Sequence, residues 1–231
     1  MFTKIKEDLL KQQRPSKAEF HLRFFKCGKG EYGEGDQFLG VSVPDQRKIA
    51  KKYFKEVSYE DVQRLLDSKI HEHRLTGLFL LNYKFEKFPE ERKKIYELWI
   101  KNTKNINNWD LIDCSAPNVV GEYLLDKDKS LLYEFAKSSN LWKKRISILS
   151  TFRFIKNNRF NDTIKIAEIL VNDKHDLIHK AVGWMLREVS KKDQAVEEAF
   201  LTRYHKTMPR TMLRYAIERF SQEKREYYMK K

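Results

Sequence analysis

Four stretches of the chain can be laid over one another on a basic residue: HRLTGLFLL on Arg74, KRISILSTF on Arg145, HKAVGWMLR on Lys180 and LRYAIERF on Arg214. The steps are 35 residues from Arg145 to Lys180 and 34 from Lys180 to Arg214, while the 71 from Arg74 to Arg145 make two periods. Trp109 takes the slot in between. A period of this length, with two helices per unit, describes helical hairpins that bury their apolar faces only by stacking on one another. It is shorter than the usual HEAT unit of about 40–47 residues. Tetratricopeptide repeats are closer in length, but their W-x-x-L-G-x-x-Y signature is absent. The expected fold is all-α: a right-handed α-solenoid of HEAT-like helical repeats with a concave basic face, in a single domain over residues 1–231.

Local signals agree with a helical chain. Only 8 glycines and 5 prolines interrupt it, and the segments between them space apolar residues three and four apart, not alternately. SYEDVQRLLDSKI (58–70), PEERKKIYELWIKNT (89–103), TIKIAEILVN (163–172) and MPRTMLRYAIERF (208–220) are examples. Ser58 can cap one helix, Pro89 suits a first turn, and Asn161-Asp162 and Pro209 open two others. DQFLGVSV (36–43) reads as a loop or short extended piece, GKGEYGEGD (28–36) as an interhelical loop, and SQEKREYYMKK as a terminal capping helix that frays.

Lys and Arg outnumber Asp and Glu by 47 to 33, a net charge of +14 spread along the chain. That surplus suits a polyanion, nucleic acid first. Cys27 and Cys114 do not make a disulfide framework in a chain this long. The N-terminal residues carry charges where a signal peptide would be apolar, and the longest apolar run is LFLL, so no membrane span is expected. These features place the protein in the cytoplasm.

In stacked hairpins the second helices lie side by side, about 8–10 Å apart, so the repeat slot should present Arg74, Trp109, Arg145, Lys180 and Arg214 as a row. Such a row suits a phosphate backbone carrying one charge per about 1.7 Å of duplex axis. A solvated face that merely keeps the protein soluble would look the same. One turn further on, the slots hold Leu78, Asp113, Leu149, Trp184 and Glu218. Read as one helix, NINNWDLIDCSAPNVVGEYLL (105–125) puts Trp109, Asp113, Ala116 and Val120 on one stripe. Pro117 cannot donate to the Asp113 carbonyl and crowds it, so the helix must bend or open at Asp113. A carboxylate there is either a cap or bridge bonded to a neighbouring Arg or Trp, or a functional group. Neighbouring cations would keep it ionised, indole faces attract a cation, and Arg145 can hold a phosphate bidentately.

NNWDLIDCSAPNVVG, LWKKRISILSTFRFI and HKAVGWMLREVSK resemble the corresponding stretches of the AlkD family of bacterial DNA alkylation-repair glycosylases. The resemblance extends from FLGVSVPDQRKIAKKY to MPRTMLRYAIERF. It implies a HEAT-like solenoid that excises N3- and N7-alkylated purines from duplex DNA, in base excision repair. It also implies Asp113 as catalytic carboxylate, Trp109 and Trp184 as contacts to the deoxyribose, and Arg145 as phosphate ligand. Lys180, Arg187 and Arg214 complete the expected DNA-binding set. The segment 24–40 is longer and richer in glycine than in the best-known members, and no DNA contact is carried over from it.

An alkylated purine is already a cationic leaving group, so it needs none of the acid that glycoside hydrolases normally supply. One carboxylate can then suffice, by stabilising positive charge on the sugar. An open concave row of Arg and Lys is a poor base pocket, and the resemblance to a family that works without one implies cleavage without base extrusion. No cofactor is expected and no metal: His175 and His179 sit four apart but lack a third ligand. HEHR (71–74) reads as a helix start with polar exposure. The other function classes are a non-catalytic DNA- or RNA-binding solenoid and a protein scaffold. The expected partner is duplex DNA carrying alkylated purines, bound by a monomer with no membrane and no small-molecule cofactor.

Overall fold

The computed structural model describes residues 1–230; the last residue of the predicted terminal helix, Lys231, lies outside the described residues. The described chain is helical apart from turns, loops and one isolated bridge between Gln37 and Ile70. It gathers into two compact units, residues 1–115 and 116–231.

The N-terminal unit contains α1 (Phe2–Lys11), α2 (Pro15–Phe24), α3 (Val43–Tyr53), α4 (Tyr59–Leu66), α5 (His71–Lys87), α6 (Arg92–Lys101) and α7 (Trp109–Asp113). Start signals in the sequence act as expected. The Ser58 hydroxyl accepts from the Asp61 N–H at 3.1 Å, and Pro89 opens a 3-10 turn. Ser42, not among the expected caps, caps α3. Helix α5 is the centre of this unit, with α3, α4 and α6 packed around it. Leu75, Leu78, Phe79, Leu80 and Leu81 on it are all buried.

The C-terminal unit begins with a π-helical segment, Pro117–Gly121, followed by α8 (Glu122–Leu124), α9 (Ser130–Lys137), α10 (Leu141–Ser150), α11 (Phe152–Lys156), α12 (Asn161–Leu170), α13 (Asp176–Ser190), α14 (Gln194–Tyr204), α15 (Arg210–Ala216) and α16 (Gln222–Met229). Here the repeat is visible directly: α9 pairs with α10 and α12 with α13, while the second helices α10, α13 and α15 pack side by side. The π segment rests on α10 at Gly121, where an added Cβ would stand 2.2 Å from the Ser150 carbonyl oxygen. Only glycine permits that approach.

The stretch 105–125 is not one helix. Helix α7 ends at Asp113, a turn at Cys114–Ser115 follows, and the chain resumes in π geometry at Pro117. The opening at Asp113 expected from Pro117 occurs. The single buried stripe does not: Ala116 and Val120 are fully buried, while Trp109 and Asp113 are half-buried. A helix terminus leaves carbonyls unsatisfied, and side chains meet two of them here. Asn82 donates to the Cys114 carbonyl at 2.8 Å, and the Ser115 hydroxyl to the Leu111 carbonyl at 2.6 Å.

Candidate functional site

Asn108 starts α7, its side-chain oxygen accepting from the Trp109 N–H at 2.8 Å. Trp109 and Asp113 thus occupy the first and last positions of a five-residue helix, one turn apart. The Trp109 indole stacks on Phe25, with centroids 5.2 Å apart and planes 20° from parallel, and meets Phe24 edge-on. One indole face is therefore covered by protein. Asp113 stands where the helix opens, neither immersed in the core nor fully exposed.

Between these two residues Asp110 turns inward. Its Oδ2 meets His71 Nε2 at 2.8 Å, and the opposite ring nitrogen of His71 meets Asp36 Oδ2 at 2.9 Å. Burial works against charge on His71, but the two carboxylates outweigh it and raise its pKa to about 9. Arg74 donates to Asp36, to Asn107 at 3.2 Å and to the Ser68 carbonyl at 3.0 Å. Burial also opposes ionisation of Asp36, yet His71 and Arg74 hold its pKa below the ordinary value. Glu72 Oε1 and Oε2 accept from three consecutive backbone N–H groups, of Leu39, Gly40 and Val41, at 2.8–3.3 Å.

Two expectations change here. HEHR does start a helix, but all four of its residues are buried: His71 and Glu72 meet loop 36–41 and α7, His73 meets Ser68, and Arg74 meets Asp36, Asn107 and the carbonyls of Ser68 and Lys69. Arg74 does not join a cationic row. It is 4% exposed, and its guanidinium is bonded to an aspartate, an asparagine and backbone carbonyls. The loop 28–36 explains Asp36: Glu31 and Glu34 accept from the N–H groups of Gly28 and Gly30, closing turns that deliver Asp36 to His71.

The remaining predicted residues belong to the C-terminal unit. Arg145 on α10 is buried and donates to the Leu177 carbonyl of α13 at 2.6 Å. Lys180 pairs with Asp176 at 2.6 Å along α13, Arg187 pairs with Glu218, and Arg214 is exposed on α15. Trp184 is half-buried beside Phe152, its centroid 5.9 Å away, and its indole N–H donates to Glu188 Oε1 at 3.2 Å. Helices α10, α13 and α15, being neighbours, bring these cations onto adjacent elements of one unit.

The two histidines considered as ligands serve the α13 start. His175 Nδ1 accepts from the Leu177 N–H at 3.1 Å, and His179 donates to the Asp173 carbonyl at 2.5 Å. Among the described residues no three His, Cys, Asp or Glu side chains are grouped to hold a metal ion, and no helix is long and apolar enough to cross a membrane.

Stacked helix pairs, a basic C-terminal unit and a carboxylate at a helix break define the class: an all-α, HEAT-like repeat protein. A sequence profile described as DNA alkylation repair enzyme matches residues 5–220, and the chain belongs to that family. Solved structures agree in fold. A predicted DNA alkylation repair enzyme from Enterococcus faecalis is 15% identical, with a TM-score of 0.66 over 91% of this chain and 98% of that one. AlkD2 from Streptococcus mutans is 20% identical, with a TM-score of 0.54 over 90% and 98%. The protein smu.31 from Streptococcus mutans UA159 is 22% identical, with a TM-score of 0.53 over 75% and 89%. No curated protein sequence matches the chain.

Proposed function

We propose that this DNA alkylation repair enzyme is a DNA glycosylase that hydrolyses the N-glycosidic bond of N3- and N7-alkylated purines in duplex DNA, leaving the base in the duplex during cleavage. The observation that carries the reading is Asp113, a half-buried carboxylate at the end of α7, one turn from Trp109, where the helix opens. In the resembled family this position is the catalytic aspartate.

As the glycosidic bond lengthens, the bonding electrons move to the cationic base and neutralise it, while the sugar takes on positive charge. Asp113 opposes that charge across the anomeric carbon and orients the water that completes hydrolysis. Trp109 packs its uncovered side against the deoxyribose, a role that Trp184 shares in the resembled family, and the indoles add cation–π attraction. Arg145, Lys180, Arg187 and Arg214 take backbone phosphates, giving affinity with little sequence preference. The protein acts as a monomer on cytoplasmic, nucleoid-bound DNA, and both units serve this one activity.

The test is release of N7-methylguanine from methylated duplex DNA by the wild type and by Asp113→Asn. The variant is expected to lose on the order of a hundredfold in rate, the scale of one preorganised charge-stabilising group, while still binding DNA. If the wild type releases no alkylated purine and Asp113→Asn binds DNA more tightly, the protein is a DNA-binding helical repeat instead.

A further inference from the structure

Within the N-terminal unit a cavity of about 340 Å³ lies beside Trp109. That is the small end of the range for small-molecule pockets, roughly 300–1,000 Å³. Its walls are aromatic, formed by Phe24, Phe25, Phe38 and Trp109. Phe20 and Val43 also line it and are exposed, at 57% and 39%, so they form its rim.

The polar lining is unbalanced. Asp110 gives Oδ2 to His71, but its Oδ1 is buried with no hydrogen-bond partner. Gln46 donates through Nε2 to the Val41 carbonyl at 2.9 Å, and its Oε1 is likewise buried and unpartnered. Both residues line the cavity and are more than nine-tenths buried, at 7% and 2% exposed. Natural interiors rarely leave such groups unmet. Two unmet acceptors on residues that line one aromatic cavity point to a ligand that brings donors. His21 Nδ1, a third unpartnered atom of the lining, belongs to a ring whose pKa burial lowers, so it adds no positive charge at neutral pH.

We propose that this cavity binds a planar heteroaromatic ring bearing N–H donors, the chemistry of an aminopurine nucleobase. Its faces stack on the Phe and Trp walls and its N–H groups meet Asp110 and Gln46. Aromatic walls favour flat partners in offset or edge-on contact, and proteins that hold a base outside the helical stack read it by the same combination of stacking and edge hydrogen bonds. The ring can arrive as a free base or as a base unstacked from a strand. The assignment concerns the N-terminal unit alone and stands whether or not Asp113 cleaves glycosidic bonds.

The test uses the full chain and 2-aminopurine, whose emission is quenched when it stacks on an aromatic ring. Free 2-aminopurine is expected to be quenched, with emission restored by adenine but not by caffeine, a purine of similar outline without N–H donors. Gln46→Met, which removes one acceptor, weakens binding about tenfold, the scale of one buried hydrogen bond. Val43→Trp fills the rim and abolishes quenching with an unchanged unfolding midpoint, independently of the buried acceptors. Parallel titrations with 2-aminopurine inside a single strand and inside a duplex identify the source. An adenine-reversible change confined to strand-borne base, lost in Val43→Trp, upholds the pocket and assigns it to an unstacked nucleotide. Equal displacement by caffeine and adenine overturns the donor preference. Emission that neither free nor strand-borne base changes overturns the pocket itself.

Discussion

The same repeat slot holds Arg74 in the N-terminal unit and Arg145, Lys180 and Arg214 in the C-terminal unit, and the fates of these cations differ. Arg74 is buried and bonded to Asp36, Asn107 and the carbonyls of Ser68 and Lys69. Lys180 is half-exposed and pairs along its own helix, and Arg214 is exposed. Arg74 and Arg145 are both buried and bonded within the fold, while Lys180 and Arg214 face solvent, where a phosphate can reach them. A repeat therefore fixes where a side chain starts on a helix but not what it meets.

The contrast can be broken most directly by truncation. Arg74→Ala leaves Asp36 buried beside His71 with one cation fewer, and is expected to cost about 3–5 kcal/mol in denaturant unfolding. Lys180→Ala and Arg214→Ala are expected to cost less than about 1 kcal/mol each in the same experiment. Equal costs would show that the two regions are built alike.

Next in size is a dependence on pH. His71 has a folded pKa of about 9 against an unfolded value of about 6.5. The stability it contributes is fully present below the unfolded value and is lost as pH rises through the folded one. Unfolding midpoints should fall between about pH 6.5 and 9, and His71→Gln should flatten that decline. Glu197 adds a decline of the same sign at lower pH, since burial raises its pKa to about 8.

The smallest effect is on DNA binding. Each of Lys180→Ala and Arg214→Ala should reduce the dependence of log affinity on log salt by about one unit, uniformly across sequences. Arg74→Lys should leave that slope unchanged. A slope change at Arg74 would return it to the cationic row.

Much of this architecture was legible in the sequence, because its causes are local. Ser58 caps its own helix, Pro117 acts on the carbonyl four residues before it, and the 34–35-residue period sets which helices pair. The network around His71 was not legible. Asp36 lies 35 residues before it and Asp110 39 after it, and nothing in HEHR distinguishes a polar run that will be covered from one that will stay wet. The aromatic cavity escaped for the same reason: its walls come from α2, the following loop and α7. The glycosylase reading of Asp113 came from resemblance, since a carboxylate at a helix break has structural uses as well.

Glu72 has a consequence for motion. Its carboxylate holds three successive amides of a segment without helix or strand, and it is 1% exposed. Those hydrogens can exchange with water only when loop and helix α5 part company, which exposes a buried carboxylate and breaks three bonds at once. In hydrogen–deuterium exchange, residues 39–41 should therefore behave like the middle of a helix, exchanging through the larger opening motions of the unit. Loop 28–35, which closes on itself through Glu31 and Glu34, should exchange early.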